Sequence, residues 1–528
     1  ADETTILDSS FQGLSSPEHA GNGLRYGMDN WLHCSQHPWE YRFVKGEVIR
    51  RRVPPHDQWG LTSDEWDRWY YTPNSYPLMV DLVPKHIVAM NPDQRDISGL
   101  YRHLPADKEI HSIRINPGVN RGYRPETLND DYTLRHFTAA CGPAIYLDSV
   151  LGDSYTGDAF ICEPSGNTVE HRNLIPRGHE PPELRIDPEV GAVLASTDER
   201  FRPVHAELGS DGSLYITDLY RGILQHKIFM TSFLREQVLE RELDQHVEGG
   251  RIWRLVPDDD SRLTLPDLSG MSTAELVEQL KHPNATRRRL VQQHLVEHGP
   301  DETLRNMLIL LASEGNPALT RAHALWTLHG RDELETTILA GALRDPGPEL
   351  RIQALRILAE HQANDRLQSV AIELMHDTEP SVRWHAAAAL ASADASQLAP
   401  ELAEALNRHA TDKIFRTLVV AGARGNELLL LQELAMSDSW ADSDLRPYQN
   451  LARSLTRTAA RADTPEQNLQ LLELLASLPP DTAWVAKAAA EELIKVRRLK
   501  SGSPRTLQLA DSPFDWEDPV ERITRQAD

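Results

Sequence analysis

Ser210-Asp211-Gly212-Ser213-Leu214-Tyr215-Ile216-Thr217-Asp218 reads as a tight turn followed by a short strand. Asp-Gly supplies the turn: glycine reaches positive φ without a Cβ penalty, and aspartate accepts hydrogen bonds from the backbone just ahead of it. The run that follows is β-branched and aromatic, as strands prefer. Working outward, the same unit recurs at Gly27-Met28-Asp29-Asn30-Trp31-Leu32-His33 and Gly157-Asp158-Ala159-Phe160-Ile161-Cys162. A weaker copy, Asp64-Glu65-Trp66-Asp67-Arg68-Trp69-Tyr70-Tyr71, has only the acidic residues. Irregular recurrence of turn–strand units points to β-propeller blades rather than a sandwich. Four separate hairpins of another all-β fold are the alternative. In these units Asp29, Asp64 and Asp211 read as turn formers.

Two insertions interrupt the pattern. Residues 84–137 carry few strand signals and many polar turns. Residues 228–247 read as an amphipathic helix, with Phe229, Phe233, Val238 and Leu239 at roughly helical spacing and Gly249-Gly250 as its stop. Arg251 to Val256 then alternates like a closing strand.

From Thr273 the chemistry changes to Ala, Leu, Glu and Arg. Pro283, Pro317, Pro346 and Pro380 fall 34, 29 and 34 residues apart, and each is followed by an arginine: Arg288, Arg321, Arg351 and Arg383. Proline costs nothing near a helix start. The period is that of two-helix units stacked in a solenoid, with each arginine tying one unit to an acidic group or carbonyl of the next. Trp326, Trp384 and Trp440 read as core packing. Arg287-Arg288-Arg289 reads as a solvated or inter-repeat cluster, or else a phosphate or acidic-partner site. The expected organisation is a partial β-propeller over 1–256, a linker at 257–270, helical repeats over 271–500 and an acidic tail at 501–528.

The chain of 528 residues is too long for one core. A net charge of −24 argues against nucleic acid, whose recognition begins with a basic footprint. No run of apolar residues is long enough to span a bilayer. Of the three cysteines, Cys141 and Cys162 flank a strand–turn–strand segment; a disulfide or two buried thiols are both open, with Cys34 left over. No C-x-x-C-H haem site occurs.

Asn22-Gly23-Leu24 with Asp29-Asn30-Trp31, Gln58-Trp59-Gly60-Leu61-Thr62, Val119-Asn120-Arg121-Gly122-Tyr123, Ala140-Cys141-Gly142-Pro143, Thr197-Asp198-Glu199-Arg200-Phe201-Arg202-Pro203 and Asp218-Leu219-Tyr220-Arg221-Gly222-Ile223 arrive in order. Together they resemble the membrane-bound dehydrogenase family of planctomycetes and related bacteria, relatives of quinoprotein glucose and sorbosone dehydrogenases. The resemblance implies a propeller, HEAT-like repeats and often a c-type cytochrome domain. It also implies that this sequence is part of a longer protein, with further blades upstream. The expected function is a periplasmic or cell-surface dehydrogenase module, oxidising a sugar or other alcohol and passing electrons to a cytochrome c. The expected cofactors are pyrroloquinoline quinone (PQQ) and Ca²⁺. The rival expectation is a non-catalytic propeller and solenoid that binds carbohydrate or protein partners.

Such an enzyme needs a base for the alcohol proton and cations for an acidic quinone. His136 and His205 are the candidate bases. Arg200 and Arg202, two apart on an expected strand and so on one face, are the candidate clamp; a blade-to-blade salt bridge is the competing role. Asn120, Arg121 and Arg135 lie in or near the polar insertion, as pocket wall or as loop anchors. The sequence points to no particular metal ligands.

Overall fold

The computed structural model describes residues 6–11, 20–55, 58–115, 119, 122–258, 267–313, 315–361, 365–437, 440, 446–462, 465–478 and 482–501. Asn120 and Arg121, most of the 257–270 linker and nearly all of the tail lie outside the described residues. The chain divides into two compact units, residues 1–82 with 100–353, and residues 83–99 with 354–528.

In the first unit, four small antiparallel sheets follow one another. The first orders β1 (Asn22–Tyr26), β2 (Leu32–Ser35), β3 (Trp39–Val44) and β4 (Glu47–Arg52). The second orders β5 (Trp59–Ser63), β6 (Trp69–Thr72), β7 (Met79–Val80) and β8 (Arg102–His103). The third runs β9 (Cys141–Ile145), β10 (Ala159–Glu163), β11 (Thr168–Arg177) and β12 (Glu180–Ile186), with β13 (Ala192–Ala195) also paired to β11. The last comprises β14 (Pro203–Leu208), β15 (Leu214–Asp218) and β16 (Arg251–Leu255). The opening motif is the β14–β15 turn: Asp211 Oδ1 accepts the Ser213 N–H at 3.0 Å, and Gly212 takes φ 80°.

The first strands of the four sheets pack in sequence, β1 beside β5, β5 beside β9 and β9 beside β14. Main chain sets how close they come. A Cβ on Gly23 would lie 3.2 Å from Gly60 Cα, and one on Gly60 would lie 2.9 Å from Gly142 Cα. One on Gly142 would reach 2.3 Å from the Val204 carbonyl oxygen. These three glycines have φ of 67°, 71° and 45°, and the register of each of the four strands shifts nearby. Each is therefore a bulge that only glycine fills without strain.

Helices follow. α1 (Lys85–Val88) belongs to the second unit. α2 (Ser232–Glu240) is shorter than the helix expected over 228–247. Thr231 Oγ1 caps it by accepting the Leu234 N–H at 3.2 Å, and Glu242 at φ 52° turns the chain away well before Gly249. Its buried residues are Leu234 and Val238, whereas Leu239 is exposed.

The repeats run α3 (Thr273–Gln279), α4 (Ala285–Glu297), α5 (Glu302–Ala312), α6 (Ala318–Gly330), α7 (Thr336–Ala342) and α8 (Pro348–Glu360). They continue as α9 (Asp365–Leu374), α10 (Pro380–Leu390), α11 (Ala399–Arg408), α12 (Lys413–Gly422), α13 (Glu427–Ala435), α14 (Arg446–Ala462), α15 (Pro465–Ser477) and α16 (Ala483–Ser501). Pro283, Pro317, Pro346 and Pro380 all sit within two residues of the first residue of a helix. The arginines behind them share one device. Arg288 Nη1 donates to the carbonyls of His282 and Pro283, each at 2.6 Å. Arg351 does so to Asp345 (2.7 Å) and Pro346 (3.0 Å), and Arg383 to Asp377 (2.7 Å) and Thr378 (3.2 Å). Each thus holds the turn that precedes its own helix. Arg321 reaches a carboxylate in the following turn, that of Asp345.

The buried tryptophans add a second tie. Trp326 Nε1 donates to Gln353 at 2.9 Å, Trp384 Nε1 to Asp412 at 2.7 Å and Trp440 Nε1 to Asn407 at 2.8 Å. Within the first unit, α4 and α6 meet the sheet turns directly. Gln292 Nε2 donates to Met28 O at 2.7 Å, Arg289 to Asp64 O at 2.9 Å, and Asn30 Nδ2 to Trp326 O at 2.9 Å. Arg288 pairs with Glu65. Neither Arg288 nor Arg289 is the solvated group that the run of three arginines suggested, because Arg288 is buried and Arg289 largely covered against these turns. No helix among the described residues is long and apolar enough to cross a membrane.

Candidate functional site

A cavity of about 1000 Å³ opens where the first strands of the four sheets meet. Gly23, Gly60 and Gly142 contribute its backbone wall, and Trp59 with Phe229 its aromatic surfaces. Asn22, Gln58, Asn74, Gln225, Arg124, Glu126 and His205 supply polar groups. Asn22 is held rigidly: its Oδ1 accepts the Gly60 N–H at 2.8 Å and its Nδ2 donates to Gln58 O at 3.0 Å.

His205 sits on β14 and lines this cavity. Its Nε2 is 3.3 Å from Glu207 Oε2. Burial opposes charge on Glu207, but the Arg25 guanidinium and the His205 contact outweigh it and hold the carboxyl down at about 2. His205 thus has a carboxylate beside one ring nitrogen, the arrangement that orients an imidazole as a base. His136 lies elsewhere. Its backbone forms an antiparallel β-bridge with Glu109, and its buried Nδ1 has no hydrogen-bond partner among the described residues.

The expected clamp residues do not come together. Arg200 lies in a turn rather than on a strand, and Arg202 directly precedes β14, so the shared-face argument does not apply to them. Arg200 Nη2 donates to Glu242 O at 3.0 Å. Arg202 is buried, and its fork is spent on three carbonyls: Arg221 O at 3.0 Å, Pro164 O at 2.7 Å and Gly222 O at 2.9 Å. Burial and the nearby Arg114 guanidinium lower its basicity. Neither arginine lines the large cavity. Arg202 instead borders a small void of about 20 Å³ with Arg114, Glu199 and Arg241. There Glu199 accepts from Arg114 Nη1 at 2.5 Å and pairs with Arg241. Arg135 is exposed; its carbonyl accepts the Ile110 N–H at 3.2 Å and its own N–H donates to Thr127 O at 3.1 Å.

Cys141 and Cys162 are directly opposite on β9 and β10, as free, buried thiols. Burial pushes both well above the ordinary thiol range; Cys162 adds to the rise at Cys141, and the Glu163 carboxylate adds to both.

Of the residues expected at the site, His205 lines the cavity; Trp59, Arg124 and Glu126 also line it and were not among them. The signal available was the Asn-Gly-Leu, Trp-Gly-Leu and Cys-Gly-Pro series at residues 22–24, 59–61 and 141–143, whose repetition marks equivalent positions around one site.

No curated protein matches the chain. A family described as a domain of unknown function (DUF7133) matches residues 1–259, which hold the sheets and the cavity, while residues 335–421, from α7 to α12, match the HEAT-repeat family.

Proposed function

We propose that the four sheets are blades of a β-propeller whose axial cavity binds a sugar or similar polyhydroxylated ligand, and that the HEAT-like repeats carry a protein partner. The observation that carries this reading is the cavity itself. Glycine bulges bring bare backbone to its wall, Trp59 offers a flat face for a sugar ring, and the held amide of Asn22 and the amide of Asn74 line it. Ligand sites of this kind are concave, largely preformed and fitted with a few placed polar groups. HEAT arrays, for their part, present extended surfaces to other proteins.

The test is saturation-transfer NMR and calorimetry of the full chain against neutral mono- and oligosaccharides. Trp59→Ala and Asn74→Ala are each expected to weaken binding at least tenfold in a folded chain. A folded wild-type chain that binds no sugar overturns the reading.

His205 favours a second reading, oxidation of the bound alcohol. Its imidazole faces the cavity with Glu207 behind it and is placed to take a hydroxyl proton. A quinone calls for converging cations, and the described residues do not assemble them: Arg124 is the cavity's guanidinium, beside Glu126, while Arg200, Arg202 and Arg135 are elsewhere. The discriminating measurement is dye-linked sugar oxidation with and without added PQQ. Turnover abolished by His205→Ala supports the oxidative reading, and sugar binding without turnover supports binding alone.

A further inference from the structure

Asp29 lies in the turn between β1 and β2, His33 stands on β2, and Asp67 lies in the turn between β5 and β6. Each of the three residues is only 3% exposed. One donor atom from each lies within 4.8 Å of the other two. The donors converge on a point in front of Gly27. A Cβ added there would lie 2.6 Å from Asp29 Oδ1, 2.9 Å from His33 Nε2 and 3.1 Å from Asp67 Oδ2. Gly27 is not a positive-φ residue, so its backbone conformation does not demand glycine; the space in front of it does.

We propose that Asp29, His33 and Asp67 form a buried binding site for a zinc-class divalent cation. One imidazole nitrogen with two carboxylate oxygens suits Zn²⁺ and its first-row neighbours. Three protein ligands at about 2.0–2.2 Å with a fourth position open is an arrangement that zinc adopts. Calcium takes six to eight oxygens, at least three times the two carboxylate oxygens this site offers. His33 Nε2 and Asp29 Oδ1 are 3.0 Å apart, close to the spacing of about 3.3 Å between two ligands of a tetrahedral ion.

The surroundings are those of a supported ligand. His33 Nδ1 is 2.7 Å from Glu40 Oε1, which fixes the tautomer that leaves Nε2 to the ion. Arg51 orients both carboxylates, through Nε to Glu40 at 2.7 Å and Nη2 to Asp29 Oδ2 at 3.1 Å. The Trp69 ring lies 4.1 Å from the His33 ring and limits its rotation. Three carboxylates, Asp29, Glu40 and Asp67, face two guanidiniums, Arg51 and, at 3.9 Å from Asp67, Arg289. A cation in front of Gly27 and a proton on His33 are the two ways of placing positive charge among these carboxylates, and experiment separates them.

The full chain is stripped with chelator and titrated with Co²⁺, whose visible absorption reports tetrahedral nitrogen–oxygen ligation, and then with Zn²⁺ as competitor. The expected result is one visible-absorbing equivalent of Co²⁺, displaced by Zn²⁺. Gly27→Ala, which puts a methyl where the ion sits and keeps all three ligands, is expected to lower affinity at least tenfold. Asp67→Asn gives the same loss and serves if the first variant is unfolded by circular dichroism. A folded wild-type chain without the visible band, or a band of equal affinity in a folded variant, overturns the proposal and leaves the proton on His33.

Discussion

Arg25 on β1 and Glu207 on β14 are joined by two parallel hydrogen bonds of 2.6 Å, so the first strand of the first sheet is fastened to the first strand of the last. The same carboxylate touches His205. One ion pair therefore links the chain's most distant sheets and positions the cavity's imidazole.

Because the pair holds Glu207 at about 2, its contribution has a defined pH window. A depressed carboxyl stabilises fully above its unfolded value of about 4.3 and loses that contribution as pH falls toward 2. Urea midpoints measured from pH 6 to pH 2.5 are expected to fall more steeply for wild type than for Glu207→Gln. At pH 6 that variant is expected to be less stable by about 1 kcal/mol, the scale of a partly exposed pair. Parallel curves for the two proteins contradict the assignment.

Gly142→Ala is expected to cost about 3 kcal/mol or more, because the new methyl meets backbone on the neighbouring strand rather than a movable side chain. Gly46 is the control: at φ 84° with open space around it, Gly46→Ala is expected to cost only about 1–2 kcal/mol. Thermal melts that rank the two variants equally would remove the close-approach argument.

Arg383→Ala removes a charged donor from the carbonyls of Asp377 and Thr378. The expected loss is about 1.5–3 kcal/mol, confined to the repeats. Lysine, with a point charge instead of a planar fork, is expected to restore only part of it. Hydrogen exchange should show faster opening at the start of α10. Unchanged protection there speaks against the staple.

The three thiols are buried, and burial raises those of Cys141 and Cys162. The native chain is expected to react slowly with Ellman's reagent and to yield three thiols at once in guanidinium. Only one thiol in the denatured, unreduced chain would mean that Cys141 and Cys162 are joined.

Features governed by local chemistry were legible in the sequence. The Asp211-Gly212 turn needs nothing beyond its own residues, and the proline-led helices announce themselves by period. Arg202 was not legible, because the carbonyls that engage it come from Pro164, Arg221 and Gly222, in segments that only the fold brings near. The end of α2 was misread because Gly249-Gly250 is a strong stop signal, yet Glu242 turns the chain first. Asp29 reads correctly as a turn former, its Oδ1 accepting the Trp31 N–H at 3.1 Å. Its place opposite Asp67 depends on the packing of two sheets, which no spacing within either turn encodes.

The contacts of Gly23 with Gly60, of Gly60 with Gly142 and of Gly142 with Val204 make the cavity's bore a property of the main chain. Its gauge is fixed where side chains are absent, while Trp59, Asn74 and His205 stand on it as replaceable fittings. On the proposed reading, exchanging those fittings changes which molecule is admitted and leaves the calibre unchanged. A Cβ on any one of the glycines meets the main chain of the next sheet's first strand.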